Sequence, residues 1–421
     1  MVTKWTILTY IASHNNLEEL GQESLQQIAA VGSSPEVIHG VLVDSSMGAD
    51  RILVGKPGKL KQAEHLAQFD SGDPDRLIET AAWLFRQHPA ERYGLILWSH
   101  GTGWRPEEIE RIGIESHGAG HMTAGAAKRV AGLSNPVLFR STIAKMLAST
   151  KPSERAVLFD DGTGHSLDTV ELERVATRIG EALGQPLEFL GMDACLMASL
   201  EVAYQVRRSV RYYVASAELV PGHSWPYGLI FGDLAEHPDW TGADLGRAVV
   251  RHYTDFYRAH PPRAGDVTKV ALNLAGVDTL AAAVGRLAAA LAADIAGQAP
   301  AVWQAQTAAR RQETREGGRG LSKFDYHLWD IGSVARRLAG SSSAPVAAAS
   351  QAVLTALRPG GPAVLAEGHV GDWFDGIGGV SFYLMPPGGG NRLSPYYDQV
   401  AFAQPPLRWL DFLRAYHAHY A

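Results

Sequence analysis

The sequence is poor in cysteine, in clustered positive charge and in long apolar stretches. Its 421 residues include one cysteine, Cys195, so the chain can form neither an intrachain disulfide nor a cysteine-based zinc site. The net charge is −6 and no basic stripe is present, which argues against nucleic acid as a partner. The longest apolar run, Leu280–Ile295, contains Arg286 and Asp294 and is too short and too polar to span a bilayer.

The beginning of the chain lacks the pattern of a secretion signal. Residues Met1–Leu8 enter a strand-like pattern at once, without a charged start, an apolar stretch and a small-residue cleavage site. The composition, 46% hydrophobic and 19% charged, is that of a globular protein long enough to bury a large core. We therefore predict a cytoplasmic globular protein with neither a membrane nor a nucleic acid as its partner.

Strand-like and helix-like segments alternate in the first half of the chain. The strand-like runs are Trp5–Ile11, Val37–Asp44, Tyr93–Ser99, Leu187–Met192 and Tyr212–Ser216. The helical patterns are Leu17–Ala30, Pro74–Gln87, Thr169–Leu183 and Leu196–Val206. Continuously apolar strands separated by helices predict an α/β fold with a mostly parallel sheet covered on both faces. Ligands bind such sheets beyond the carboxyl ends of the strands.

The second half of the chain is richer in alanine and less regular. Its helical patterns are Asp244–Arg258, Leu280–Ala296, Ala344–Leu357 and Leu407–Ala418, and its strands lie near Thr268–Leu274 and Gly379–Met385. These elements predict a C-terminal α/β region that packs on the first half.

Two strands of the first half end in residues that suit nucleophilic chemistry. In "LILWSHGTGW", His100 follows an apolar strand directly, and Cys195 follows another strand after Asp193 and Ala194. Parallel strands end at the same edge of a sheet, so we expect both residues at that edge. Apolar residues at helical spacing after Cys195 predict that a helix begins there. Its N-terminus would lower the pKa of the thiol.

This arrangement predicts a cysteine nucleophile with His100 as its acid–base partner. The backbone N–H groups of Gly101 and Cys195 would hold the oxyanion, since Gly101 has no side chain to block a substrate carbonyl. Without further context, a lone cysteine is better explained as a small buried hydrophobe. Other histidines also compete for the role, namely His117, His121, His165 and His223. No Gly-x-Ser-x-Gly motif is present, which argues against a serine α/β-hydrolase.

The stretches "LILWSHGTGW" and "FLGMDACLMASLEVAYQVRRSVRYYVASAELVPGHSWPYG" closely resemble the clostripain family of cysteine peptidases, which have a caspase-like fold. "WTILTYIASHNNLEEL" is similar to the first strand of that family, and weaker similarity covers most of the chain. The resemblance implies a caspase-like catalytic domain at residues 1–236 and a C-terminal region at 237–421. It also implies a cysteine endopeptidase with a His100–Cys195 dyad that cleaves peptide or protein substrates after Arg or Lys. Calcium dependence in some members, and zymogen activation by internal cleavage or by another protease, belong to the same resemblance.

Two positions depart from the pattern of that family. His223 in "VPGHSW" stands where the family has an aspartate that helps to hold a basic P1 side chain, whereas Asp193 is retained and Glu218 lies close by in sequence. We expect Asp193, Glu218 and His223 to form the P1 pocket, although Asp193 equally suits a helix cap. His14 stands where the family has aspartate, and we interpret His14–Asn16 as structural. The altered pocket leaves a catalytically weak or silent caspase-like module, which binds peptides or partners or has a regulatory role, as the alternative function.

Basic residues in two loops are candidate activation sites. Lys128, Arg129 and Arg140 lie in the glycine-rich segment after His100, and Arg315 and Arg319 lie in a charged segment. The stretch "DDGTGHSLDTVE" does not fit an EF-hand loop, and we interpret it as a turn with helix caps. The residues therefore predict no metal site, and calcium is implied by the resemblance alone.

Overall fold

The computed structural model describes residues 2–101, 103, 157–158, 160, 163–261, 267–309, 327–371, 376–388 and 392–421. Its strands in chain order are β1 (Trp5–Ala12), β2 (Val37–Ser45), β3 (Gly48–Val54), β4 (Leu60–Leu66), β5 (Arg92–Trp98), β6 (Leu187–Asp193), β7 (Val210–Ala215), β8 (Val267–Asn273), β9 (Leu328–Asp330), β10 (Val364–Val370) and β11 (Ser381–Tyr383).

The α-helices of the described residues pack on these strands and on one another. In chain order they are α1 (Glu18–Val31), α2 (Pro74–Gln87), α3 (Thr169–Leu183), α4 (Leu200–Val206), α5 (Tyr227–Glu236), α6 (Gly242–Ala259), α7 (Leu274–Ala292), α8 (Ile295–Ala308), α9 (Ile331–Leu338), α10 (Ala344–Ala356) and α11 (Trp409–His419). Two short 3-10 segments, Pro395–Gln399 and Ala401–Ala403, precede α11.

Nine of the strands form one sheet in the order β10-β8-β7-β6-β5-β1-β2-β3-β4. The five central strands, from β7 to β2, are parallel, and the two strands at each end are antiparallel to their neighbours. β9 and β11 form a separate antiparallel pair. The predicted α/β class with a mostly parallel central sheet is confirmed. Four strands were not predicted, namely β3, β4, β9 and β10. Of these, β4 is almost wholly exposed and shows no apolar run, and β9 has only three residues.

Helices α2 and α3 begin and end at the predicted residues because their caps are encoded locally. The Asp73 carboxylate accepts a hydrogen bond from the Asp75 N–H at 2.8 Å. Asp168 and Glu171 form a reciprocal capping box at the start of α3, and Gly184 ends it in the left-handed conformation with φ 68°. The stretch "DDGTGHSLDTVE" ends at Glu171, and its interpretation as a turn with helix caps is confirmed.

Strands from both halves of the chain belong to the same sheet. β8 pairs with β7, and β10 pairs with β8, so the C-terminal half extends the sheet on one side. One cluster of buried apolar residues includes members of both halves, such as Trp98 and Leu272. The boundary placed between residues 236 and 237 falls between α5 and α6 and stays a prediction.

Helix α7 begins at Leu274, six positions before the start predicted from its apolar run. The Asn273 side chain accepts a hydrogen bond from the Ala275 N–H at 3.2 Å and so caps the helix earlier. By length and composition α7 could cross a membrane, and 61% of its apolar window is buried inside the protein. It packs against α10 and α11, which is the arrangement of a core helix.

Candidate active site

The edge of the sheet at which β5 and β6 end carries the two residues predicted for catalysis. The strands are parallel neighbours, and Trp98 of β5 lies opposite Asp193 of β6. His100 and Cys195 each lie two positions beyond this pair. The Ser99 N–H donates to the Asp193 carbonyl at 3.3 Å, which continues the contact past the last strand residue. This register places the main chain of both residues at one edge of the sheet.

Gly101 brings the two strand ends into direct contact. A Cβ atom at this position would lie 2.4 Å from the Cys195 carbonyl oxygen, 3.0 Å from the Ala194 Cβ and 3.1 Å from the Met197 Cγ. The backbone after His100 therefore packs against the backbone of Cys195 at a distance that only glycine permits.

We expect Gly101→Ala to lower kcat/KM for a peptide substrate about 100-fold, because the two strand ends must separate to accommodate the methyl group. Gly228→Ala is the matched control, since a Cβ there meets no atom within 4 Å. Steady-state kinetics of both variants would measure the effect. A Gly101→Ala variant with the activity of the control would contradict the close approach.

His100 is oriented by a side chain from the end of β1. Its imidazole is 5% exposed, and its Nε2 lies 3.0 Å from the Asn16 Oδ1. An amide oxygen accepts only from a protonated nitrogen, so in a neutral imidazole this contact places the proton on Nε2 and leaves the lone pair on Nδ1. The sequence analysis treated Asn16 as structural. Asn16 follows β1, which pairs with β5 in the sheet, and this position could have indicated its contact with His100.

The helix predicted to begin at Cys195 ends at Val206 as expected, but its predicted start was wrong. Cys195 lies in a turn with Leu196 in the left-handed conformation at φ 64°, and α4 begins only at Leu200 with Ser199 as its cap. The Leu196 N–H instead donates to the Glu218 carbonyl at 3.3 Å, which ties the turn to the segment after β7. Of the apolar residues that indicated a helix, Leu196 and Met197 are buried before α4 begins, whereas Leu200 and Ala203 are buried within α4.

The predicted lowering of the thiol pKa was also wrong: no helix begins at Cys195, and the sulfur is buried. Cys195 is 2% exposed, and its Sγ accepts a hydrogen bond from the Val220 N–H at 3.3 Å. Burial raises the pKa of the thiol to about 12, and the nearby Glu218 and Asp193 carboxylates act in the same direction. In this conformation the sulfur is therefore a neutral, covered thiol.

Asp193 is tied into the protein by three donors. Its Oδ2 accepts hydrogen bonds from the Ser224 hydroxyl, from the Trp225 N–H at 3.2 Å and from the Tyr227 hydroxyl at 2.8 Å. Its Oδ1 has no hydrogen-bond partner in the described part of the chain. Burial raises the pKa of the carboxyl, and the positive charge of Lys269 opposes this shift. Asp193 caps no helix in this arrangement.

Lys269 of β8 is a buried cation that the sequence analysis missed. It is 0% exposed, and its Nζ lies 4.0 Å from the ring centroid of Tyr253 and 4.9 Å from that of Trp225. Burial lowers the pKa of Lys269 to about 7, against the pull of Asp193 and Cys195. The single lysine in the apolar strand "VTKVALN" could have indicated a buried charge, because a central strand is covered on both faces.

The other two predicted pocket residues differ in their placement. Glu218 is 4% exposed, its Oε1 accepts from the Leu219 N–H at 3.0 Å, and its charge acts on the Cys195 thiol. His223 is exposed, and its ring lies edge-on to Phe256 with centroids 6.5 Å apart. The structure thus brings Glu218 to the cysteine turn and leaves His223 on the surface, and the role of each in substrate binding stays a prediction.

Several residues considered in the sequence analysis lie outside the described residues. They are His117, His121 and the candidate activation sites Lys128, Arg129, Arg140, Arg315 and Arg319.

Among the residues that the structure describes, His14, Asp44 and Asp160 form one group close enough to hold a metal ion, with ligand atoms within 4.8 Å of one another. His14 Nδ1 lies 3.0 Å from Asp160 Oδ1, and burial raises the pKa of Asp44 to about 7. Calcium takes six to eight oxygen ligands, so an imidazole with two carboxylates does not match its preferred set. Calcium dependence stays a prediction from the resemblance.

The sequence matches the model of the clostripain family, peptidase C11, over residues 9–116 and 144–342. These two segments make up well over half of the chain and include His100 and Cys195. A search of curated proteins found no match.

Solved structures of C11 proteases have the same fold over nearly the whole chain. A secreted C11 cysteine protease from Bacteroides thetaiotaomicron, bound to an irreversible peptide inhibitor, is 18% identical with a TM-score of 0.62, covering 98% of this chain and 99% of that one. An inactive zymogen C11 protease from Parabacteroides distasonis is 16% identical with a TM-score of 0.64, covering 96% of this chain and 97% of that one. These likenesses confirm the caspase-like fold.

Proposed function

Because this chain belongs to the clostripain family of cysteine peptidases, we propose that it cleaves peptide bonds within proteins using Cys195 as nucleophile and His100 as acid–base partner. Membership in the family makes the chain a cysteine-type peptidase, and the proposal concerns the residues that carry the reaction. The proposal is carried by the register of β5 and β6. Trp98 of β5 pairs with Asp193 of β6, and His100 and Cys195 each lie two positions beyond this pair.

The proposed reaction begins with attack of the Cys195 sulfur on the substrate carbonyl carbon. The thiol proton passes to His100 Nδ1 and then to the leaving amine as the C–N bond breaks, which leaves a thioester. Water attacks the thioester, His100 takes its proton, and the acid product leaves as the thiol is restored. Asn16 holds the Nε2–H of His100 throughout, and the N–H groups of Gly101 and Cys195 bind the oxyanion.

A preference for Arg or Lys at P1 is the finer part of the proposal. It is supported by two buried carboxylates, Asp193 and Glu218, at 3% and 4% exposure beside the cysteine turn. A buried carboxylate gains most from a cationic partner, because it has lost its hydration. His223 contributes no charge of the required sign.

We also propose that the structure represents a resting, zymogen-like state. Burial raises the pKa of the Cys195 thiol to about 12, so the thiolate that would attack the substrate is disfavoured at neutral pH. A rearrangement that opens the turn to water would remove the main cause of the raised pKa, which is burial. Cleavage of the chain in a covering segment is the activation route that the family resemblance implies.

Covalent labelling tests this proposal. We expect an irreversible thiol reagent carrying a lysyl or arginyl group to label Cys195 slowly before cleavage and at least 100-fold faster after limited proteolysis, as followed by mass spectrometry. His100→Ala should abolish the labelling, and sequencing of new N-termini should locate the activating cut. Full activity of an intact chain would remove the zymogen proposal. No labelling in any form, together with tight peptide binding, would favour the catalytically silent binding module.

Two further expectations are tested separately. The cytoplasmic location is proposed from cysteine use alone, whereas the Bacteroides thetaiotaomicron neighbour is described as secreted. Fractionation of cells that express the native gene would test the location, and assays with and without a calcium chelator would test calcium dependence.

A further inference from the structure

A buried lysine, Lys269, lies close to the turn that contains Cys195, as does Asp193, the carboxylate proposed to bind the P1 side chain. Trp225 contacts both groups. Its backbone N–H donates to Asp193 Oδ2 at 3.2 Å, and the centroid of its ring lies 4.9 Å from Lys269 Nζ. On the other side, the Tyr253 ring covers the same ammonium at 4.0 Å. Lys269 and Trp225 are both 0% exposed, so the ammonium is held within the protein.

Both charged groups retain unused hydrogen-bonding capacity. Among the described residues, neither the Nζ of Lys269 nor the Oδ1 of Asp193 has a hydrogen-bond partner. Buried polar atoms are normally paired, and unpaired ones commonly mark a place where a ligand or water binds. Lys269 Nζ therefore remains available as a donor and Asp193 Oδ1 as an acceptor, and the two groups have opposite charge.

This pair changes what the site prefers in a substrate. A P1 guanidinium or ammonium placed against Asp193 would bring a second positive charge close to Lys269, in surroundings that screen charge poorly. A neutral side chain with a carbonyl and an N–H group avoids that repulsion, because it can accept from Lys269 and donate to Asp193.

We propose that Lys269 is a specificity-determining residue whose ammonium competes with the P1 cation for the Asp193 carboxylate. The inference rests on the proposed function, which assigns Asp193 to the P1 pocket. It refines that function: Lys269 weakens the preference for Arg and Lys that Asp193 alone would confer, and it favours neutral polar side chains of similar length.

The test compares two peptide substrates that differ only in having arginine or citrulline at P1, which have similar shape but different charge. We expect Lys269→Met to raise the arginine-to-citrulline ratio of kcat/KM at least fivefold over the native chain. Asp193→Asn combined with Lys269→Met should remove this gain, because the carboxylate is what the lysine competes for. A general loss of folding or of catalysis would lower both substrates together and leave the ratio unchanged.

The proposal is overturned if Lys269→Met and Lys269→Gln each change the ratio less than fivefold while their melting curves show a folded protein. Dissociation constants of the same two peptides on the Cys195→Ala background provide the measurement that needs no hydrolysis. If the native chain cleaves neither peptide but Lys269→Met still shifts the ratio of dissociation constants fivefold, the proposed function fails and the role of Lys269 stands. If cleavage occurs and neither ratio shifts, the role of Lys269 fails alone.

Discussion

His100→Ala is expected to lower kcat by about 10²- to 10⁴-fold, the usual contribution of a positioned general acid–base. Without the imidazole, no group takes the thiol proton or supplies one to the leaving amine. Asn16→Ala is expected to lower kcat about tenfold, because Asn16 Oδ1, 3.0 Å from Nε2, fixes the tautomer but transfers no proton. KM should change little in either variant, since neither side chain is proposed to hold the P1 residue.

His165→Ala is the matched control for this series. That histidine is exposed and paired with Asp70, and it is not part of the proposed dyad, so its removal should leave kcat unchanged. Steady-state kinetics with one peptide substrate would compare the three variants at equal concentrations of activated enzyme. Equal losses in His100→Ala and His165→Ala would contradict the assignment, as would a His100→Ala variant with more than one tenth of native kcat.

The part of this site that follows from the sequence is the part governed by local rules. β5 and β6 are buried along almost their whole length, so their apolar runs mark them as strands of a parallel sheet and place His100 and Cys195 just beyond their ends, at the same edge. The caps of α2 and α3 involve residues at most four positions apart, so they too can be predicted locally.

The remainder depends on contacts between residues distant in sequence. Leu196 adopts its left-handed conformation because the turn bonds to the segment after β7, and an apolar stripe cannot distinguish such a turn from a helix. Asn16 meets His100 across 84 positions of sequence. Lys269 reaches the same region from β8, through a sheet order that the sequence alone does not specify. Pairing of this kind is a property of the assembled sheet.

The second large effect is expected for stability, at Glu201 in the helix that follows the cysteine turn. This side chain is 0% exposed, and its Oε1 accepts hydrogen bonds from the Tyr383 N–H at 2.9 Å and from the Tyr397 hydroxyl at 3.0 Å. Burial raises its pKa from 4.5 to about 7. The folded protein therefore favours the protonated acid. The stability that this group contributes is fully present below pH 4.5 and is lost as the pH rises through 7.

Glu201→Gln should remove this loss, because the amide keeps an oxygen acceptor for both donors and never ionises. Relative to the native chain, we expect the variant to gain about 3 kcal/mol in free energy of unfolding between pH 4 and pH 8. Asp44 and Asp330 also have pKa values raised by burial, so the difference between variant and native chain, measured by urea unfolding at each pH, isolates Glu201. Glu181→Gln, at an exposed position of α3, is the matched control. A difference between Glu201→Gln and the native chain that stays constant over this range would show that the folded protein holds Glu201 ionised, and the contacts from Tyr383 and Tyr397 would then have to compensate for its burial.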